Sequence, residues 1–203
     1  MTRSFFAKTS RAVSLVAVSL LALTAAPRPA AAADDAAKRA TAAAEKLARG
    51  KYLVTVAGCN DCHTPFKDGP NGPEPDMSRM LSGHPQDMVV PPAPKPQGPW
   101  IASVAATNTA WSGPWGVSFT ANLTPDRETG LGKWNLRTFI DTIRTGRRMG
   151  RGRPILPPMP YPMYKHFTDA DLEAIFTYLQ SIPPLKNKVP EPLPPAAPSA
   201  QGG

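Results

Sequence analysis

Cysteine is scarce in this 203-residue chain: Cys59 and Cys62 are the only two, and histidine occurs three times, at His63, His84 and His166. A structural zinc site asks for four ligands, as two Cys-x-x-Cys pairs or as one pair with two suitably spaced histidines. With no second pair, and with His84 and His166 far apart, that count is not met. Strand character is also sparse, which argues against the alternating strand and helix scaffold of a thioredoxin-like dithiol. After residue 26 no apolar run reaches spanning length, so the sequence offers no transmembrane span beyond its N-terminus. There is no internal repeat.

The N-terminus itself is informative. A basic lead-in (Arg3, Lys8, Arg11) precedes "AVSLVAVSLLALTAA" (12–26), an apolar run of 15 residues, and small residues follow at Ala30–Ala33. That order predicts a secretory signal peptide over residues 1–33 and an exported, periplasmic protein. Its removal takes away four bases and no acids, lowering the formal net charge from +8 to +4. The basic stretch "RTGRRMGRGR" (144–153) then reads as a solvated loop or a docking surface for an acidic partner. Nucleic acid is not expected as a partner, because an exported chain rarely meets it.

About 170 residues remain, the length of one domain. Ten prolines lie between 65 and 99 and twelve between 154 and 198, excluding helix from much of both regions. Residues 35–57 are rich in alanine and basic residues, lack proline, and predict a helix running straight into Cys59. A second helix is predicted over 134–145, capped by Asn135 and stopped by Gly146, with Leu136, Phe139, Ile140 and Ile143 at helical spacing. A third follows Thr168, which forms a capping box with Asp171, and carries the stripe Leu172, Ile175, Phe176 and Leu179 before Pro183. Residues 66–115 read as a long loop insertion, packing Trp100, Trp111 and Trp115 against the domain. Residues 185–203 read as a proline-rich flexible tail.

Both cysteines sit in "GCNDCHTP" (58–65) as Cys59-x-x-Cys62-His63, the attachment signature of c-type haem. Two thiols three apart at a helix end can each add to one vinyl group of the same porphyrin, and the next histidine then presents its imidazole to the iron. A plain disulfide across so small a loop would constrain the unfolded chain weakly. One motif predicts one covalently bound haem c. A second axial ligand is expected from methionine or histidine, and methionine raises the potential relative to histidine. Of Met77, Met80, Met88, Met149, Met159 and Met163, the choice falls on Met159, with Met163 next. Met159 sits in "ILPPMPYPMY", where flanking prolines make a stiff extended loop that can present a thioether at fixed distance. His84 and His166 are the histidine options.

These residues resemble a class I cytochrome c: an N-terminal helix running into Cys-x-x-Cys-His, a Met-Pro loop, and a C-terminal helix. More closely, "FTANLTPDRETGLGKW" (119–134), "FIDTIRTGR" (139–147) and "LPPMPYPMYKHFTDADLEAIFTYLQSIPP" (156–184) resemble haem domains in the cytochrome subunits of membrane-bound alcohol and aldehyde dehydrogenases. The resemblance covers about 47–63 and 116–184. It implies haem attachment at Cys59 and Cys62, His63 as proximal ligand and Met159 as distal ligand. It also implies crossing first and last helices, where Tyr52 and Tyr178 could meet. The chain departs from those subunits in carrying one haem motif instead of three, and in its long segment near 66–115.

The expected fold is therefore mainly α, a cytochrome c-like domain over 34–184 with three to five helices around one haem and long proline-rich loops. The expected function is single-electron transfer outside the cytoplasm. A periplasmic or membrane-bound dehydrogenase would be the donor, and an oxidase or another cytochrome the acceptor. With both axial positions filled by protein the chain is not expected to be an enzyme. The alternative is a haem enzyme or gas-binding sensor with a labile sixth ligand.

Overall fold

A computed structural model of the chain describes residues 30–93 and 98–195, with side chains from residue 32 onward. The predicted signal peptide thus lies outside the described residues, apart from 30–33, which open the first helix. The chain divides into two compact units at Ala37–Lys38. Of the first unit only the start of that helix is described; the rest of the helix and every later element belong to the second.

Helix α1 runs Ala30–Val56. From Ala32 its residues are exposed as far as Arg49, and burial begins at Gly50, followed by Leu53 and Val54 in the core. The transition is made at Gly50, where α1 crosses the last helix, α5 (Asp169–Ser181): a Cβ there would collide with the Ala174 carbonyl and with Cβ of Tyr178. The expected meeting of Tyr52 with Tyr178 gives way to this crossing. Tyr52 stands 56% exposed, with the Arg49 guanidinium 5.7 Å from its ring centroid. Two ion pairs, Lys46–Glu173 and Arg49–Asp171 (2.9 Å), flank the crossing.

The other two long helices follow their cap signals. In α3 (Leu136–Thr145) the Asn135 side chain accepts the Thr138 N–H at 2.8 Å, and Gly146 at φ 63 closes the end. In α5 the Thr168 hydroxyl accepts the Asp171 N–H at 3.1 Å. The Asp171 carboxylate, however, binds Arg49, so the reciprocal half of the capping box is replaced by a tertiary ion pair. Leu53 and Val54 of α1, Phe139 and Ile143 of α3, and Leu172, Ile175 and Leu179 of α5 form one cluster with Leu81, Leu131 and Ile182. The core is therefore helical, as a cytochrome c-like, mainly α domain requires.

Two expectations change. Residues 66–115, read as a loop, contain most of two small antiparallel sheets. Strands β1 (Phe66–Gly69) and β2 (Gly72–Pro75) pair as a hairpin. Strands β3 (Ser103–Val104), β4 (Ala110–Gly113) and β5 (Gly116–Phe119) form a three-stranded sheet in that order. Strands this short and rich in glycine carry little alternation, so periodicity could not reveal them. Trp111 and Trp115 are half-buried as expected, but Trp100 is 74% exposed.

The segment read as a flexible tail is anchored as far as Pro195, and residues 196–203 lie outside the described residues. Asn187, only 3% exposed, donates to the carbonyls of Ser82 and His84 (2.7 and 2.8 Å) and accepts the Gln86 N–H (2.9 Å). Farther on, Leu193 and Val117 exchange both backbone hydrogen bonds at 2.9 Å. Gly116, at φ 93, makes room for the Leu193 carbonyl. Proline removes donors from a tail but leaves its carbonyls and one asparagine free to bind.

Because the Gly50 crossing leaves no space for a methyl group, Gly50→Ala is expected to destabilise the fold by about 1–3 kcal/mol. Urea unfolding of the variant measures the loss, and an unchanged midpoint would contradict the crossing.

Candidate haem-attachment site

The predicted anchors fall on a helix of a single turn. Helix α1 ends at Val56, Gly58 takes the left-handed conformation (φ 70), and α2 (Cys59–His63) starts afresh. The expected continuous helix is thus broken just before the motif, and Gly58 supplies the turn that non-glycine residues resist. His63 is buried, and its Nδ1 lies 2.7 Å from the Ala121 carbonyl. A carbonyl only accepts, so Nδ1 carries the proton and Nε2 keeps its lone pair, the form a metal ligand takes. Burial pushes the His63 pKa down, with the Ala121 bond opposing in part, so the ring is held neutral.

The segment after the motif wraps α2. The His63 carbonyl accepts the Gly83 N–H at 2.8 Å, and the Thr64 hydroxyl accepts the Leu81 N–H at 3.0 Å. Asn108 donates to the Asp61 carbonyl at 2.6 Å, and the Phe66 N–H reaches the Thr107 carbonyl at 2.9 Å. At the other side, the Tyr164 hydroxyl donates to the Ala57 carbonyl.

Both cysteines are free, and Cys59 packs against the core. Burial pushes its thiol up to about 11, and burial also raises that of Cys62. A redox dithiol or reactive nucleophile wants the opposite, an electropositive setting that favours thiolate. Among the described residues, no three or more His, Cys, Asp and Glu side chains gather as a metal-binding group.

Of the six methionines after the predicted signal peptide, only Met159 and Met80 are half-buried against the core. Met77, Met88, Met149 and Met163 are 60%, 40%, 51% and 72% exposed, which demotes Met163 as the second choice. His84 is fully buried, but its Nδ1 faces the Thr109 hydroxyl at 2.9 Å and its Nε2 the Met88 carbonyl at 3.2 Å. With both ring nitrogens engaged, His84 serves structure, and His166 is exposed. The turn thus brings together two adjacent thiols and a buried imidazole whose Nε2 is left for a ligand, the donor set a c-type haem uses, while Met159 is half-buried against the core on a separate loop.

Sequence reasoning missed the groups that orient these side chains. Ala121 acts through its backbone, which no residue type announces. Ser118 of β5 donates to the Pro157 carbonyl at 2.5 Å, joining the sheet to the Met159 loop. The basic stretch is partly tied down by ion pairs: Arg144 with Asp169 (2.5 Å), and Arg148 and Arg153 with Glu191 (3.9 and 3.3 Å). A cleft of about 240 Å³ lies there, lined by Arg148, Met149, Arg151, Arg153 and Glu191.

The helical core and the thiol–imidazole turn are compatible with a cytochrome c-like, mainly helical domain, and comparison with known proteins points the same way. No family model matches the chain. The fructose dehydrogenase cytochrome subunit of Gluconobacter japonicus is 28% identical over 142 residues, 70% of this chain and 22% of that protein. The cytochrome c subunit of the quinone alcohol dehydrogenase of Gluconobacter oxydans is 26% identical over 148 residues, 71% and 24%. The gluconate 2-dehydrogenase cytochrome c subunit of Pantoea cypripedii is 35% identical over 65 residues, 32% and 14%. The chain is thus similar to cytochrome c subunits of dehydrogenases, and it matches less than a quarter of the length of these relatives.

Burial also lowers the pKa of His84, with the Met88 bond and Asp87 opposing and Arg79 reinforcing. The unfolded histidine protonates more readily than the folded one, so stability is lost as pH falls through and below the ordinary histidine range. His84→Gln is expected to flatten that slope in pH-dependent urea unfolding. An equal slope in both proteins would contradict it.

Proposed function

We propose that the chain is a periplasmic monohaem c-type cytochrome that transfers single electrons between a dehydrogenase and a downstream acceptor. The observation that carries this reading is the buried, neutral His63 whose Nδ1–H is spent on Ala121, beside two free thiols. In it, Cys59 and Cys62 would hold the haem as thioethers, with His63 through Nε2 as its proximal ligand and Met159 as its distal ligand. The haem supplies a one-electron iron couple when bound. The protein holds it covalently, keeps the imidazole in one orientation and presents a thioether from a stiff loop.

Met80 is the rival thioether. Its neighbours Leu81 and Gly83 bond to Thr64 and to the His63 carbonyl, tying that segment to the His63 side. This favours Met159 for the opposite position. The names of the relatives support a dehydrogenase as electron donor. The proposed acceptor is an oxidase or another cytochrome. No described helix is long and apolar enough to cross a membrane.

Visible spectra of the haem-loaded protein test the ligation. The ferric form is expected to be low-spin with a methionine-to-iron charge-transfer band. Met159→Ala should abolish the band and Met80→Ala should leave it. A high-spin ferric form that binds cyanide quickly, or a ferrous form that binds carbon monoxide quickly, would instead support a haem enzyme or sensor.

A further inference from the structure

The stretch from β5 to Ala121 bonds one candidate axial residue directly and, at its other end, the loop that carries the second. At one end the Ala121 carbonyl accepts from His63 Nδ1 at 2.7 Å. Three residues earlier the Ser118 hydroxyl reaches the Pro157 carbonyl at 2.5 Å, two residues before Met159. Three of the five residues 156–160 are proline and carry no N–H, so the loop has few donors with which to brace its own backbone. Its carbonyls must be held from outside. The Ile155 N–H bonds to Gly146 and the Met163 N–H to Pro160, both outside the Pro157–Met159 stretch. Ser118 therefore braces the interior of the loop.

We propose that Ser118 is a positioning residue for Met159, and that residues 118–121 set the span between the two axial side chains. Ser118 is 8% exposed, so little water competes for its hydroxyl. Its other acceptor, the Trp111 carbonyl, is farther away at 3.3 Å. The strand itself is fixed from both flanks, by β4 and by the Leu193 bridge, so the brace is rigid. A sheet outside the helical core thereby acts on the distal ligand. The proposal rests on Met159 ligation.

The test uses the full-length, haem-loaded protein and the rate at which cyanide displaces the distal ligand of the ferric form. Ser118→Ala should retain the charge-transfer band while binding cyanide roughly tenfold faster, the size expected for loss of one net hydrogen bond. Ser118→Thr, which keeps the hydroxyl and suits a strand, should bind near the wild-type rate. A wild-type cyanide rate in Ser118→Ala would overturn the proposal, even if urea stability falls. Equal acceleration in both variants would overturn it too, because packing rather than the hydroxyl would then matter. Persistence of the charge-transfer band in Met159→Ala would mark the ligation reading as the part that failed.

Discussion

The hydrogen bond from His63 Nδ1 to the Ala121 carbonyl is the constraint around which the described residues are arranged. It joins a one-turn helix, which could not hold its own orientation, to a backbone segment fixed by a sheet. It also decides the chemistry of the imidazole. With Nδ1 protonated and the ring buried, the only free valence left on His63 is the lone pair of Nε2. The left-handed Gly58 upstream and the bonds from Leu81 and Gly83 downstream leave α2 little freedom to turn away.

The insertion and the C-terminal segment serve the same end. Asn187 ties Ser82, His84 and Gln86 together, the stretch whose neighbours Leu81 and Gly83 bond Thr64 and the His63 carbonyl. Asn122, 3% exposed and next to Ala121, donates to the Leu185 carbonyl at 2.7 Å and accepts the Thr124 N–H at 2.9 Å. The helices supply most of the apolar core. The polar network of Asn122, Thr124 and Asn187 supplies the alignment of loops that have too few donors of their own.

The helices were legible because their signals are local. Asn135, Gly146 and Thr168 each act within four residues, and each caps the end that the sequence assigns it. The Cys59–His63 turn was legible for the same reason. What escaped were contacts set by distant backbone: Ala121 on His63, Ser118 on Pro157, and Val117 on Leu193. Carbonyl acceptors leave no mark in residue identity. Strands of two to four residues and a tail rich in proline look structureless until their partners are known. Gly50 lies between these cases: a glycine inside a helix can mark close approach by another element, but nothing local names Ala174 as the neighbour.

We propose that Cys59 and Cys62 hold one haem by two thioether bonds. Intact-mass spectrometry tests this most directly, on denatured protein produced with the cytochrome c maturation machinery. The expected mass is that of the polypeptide plus one haem, and the haem should be lost when both cysteines are replaced by alanine. An unmodified polypeptide, or one lighter by the two hydrogens of a disulfide, would contradict it.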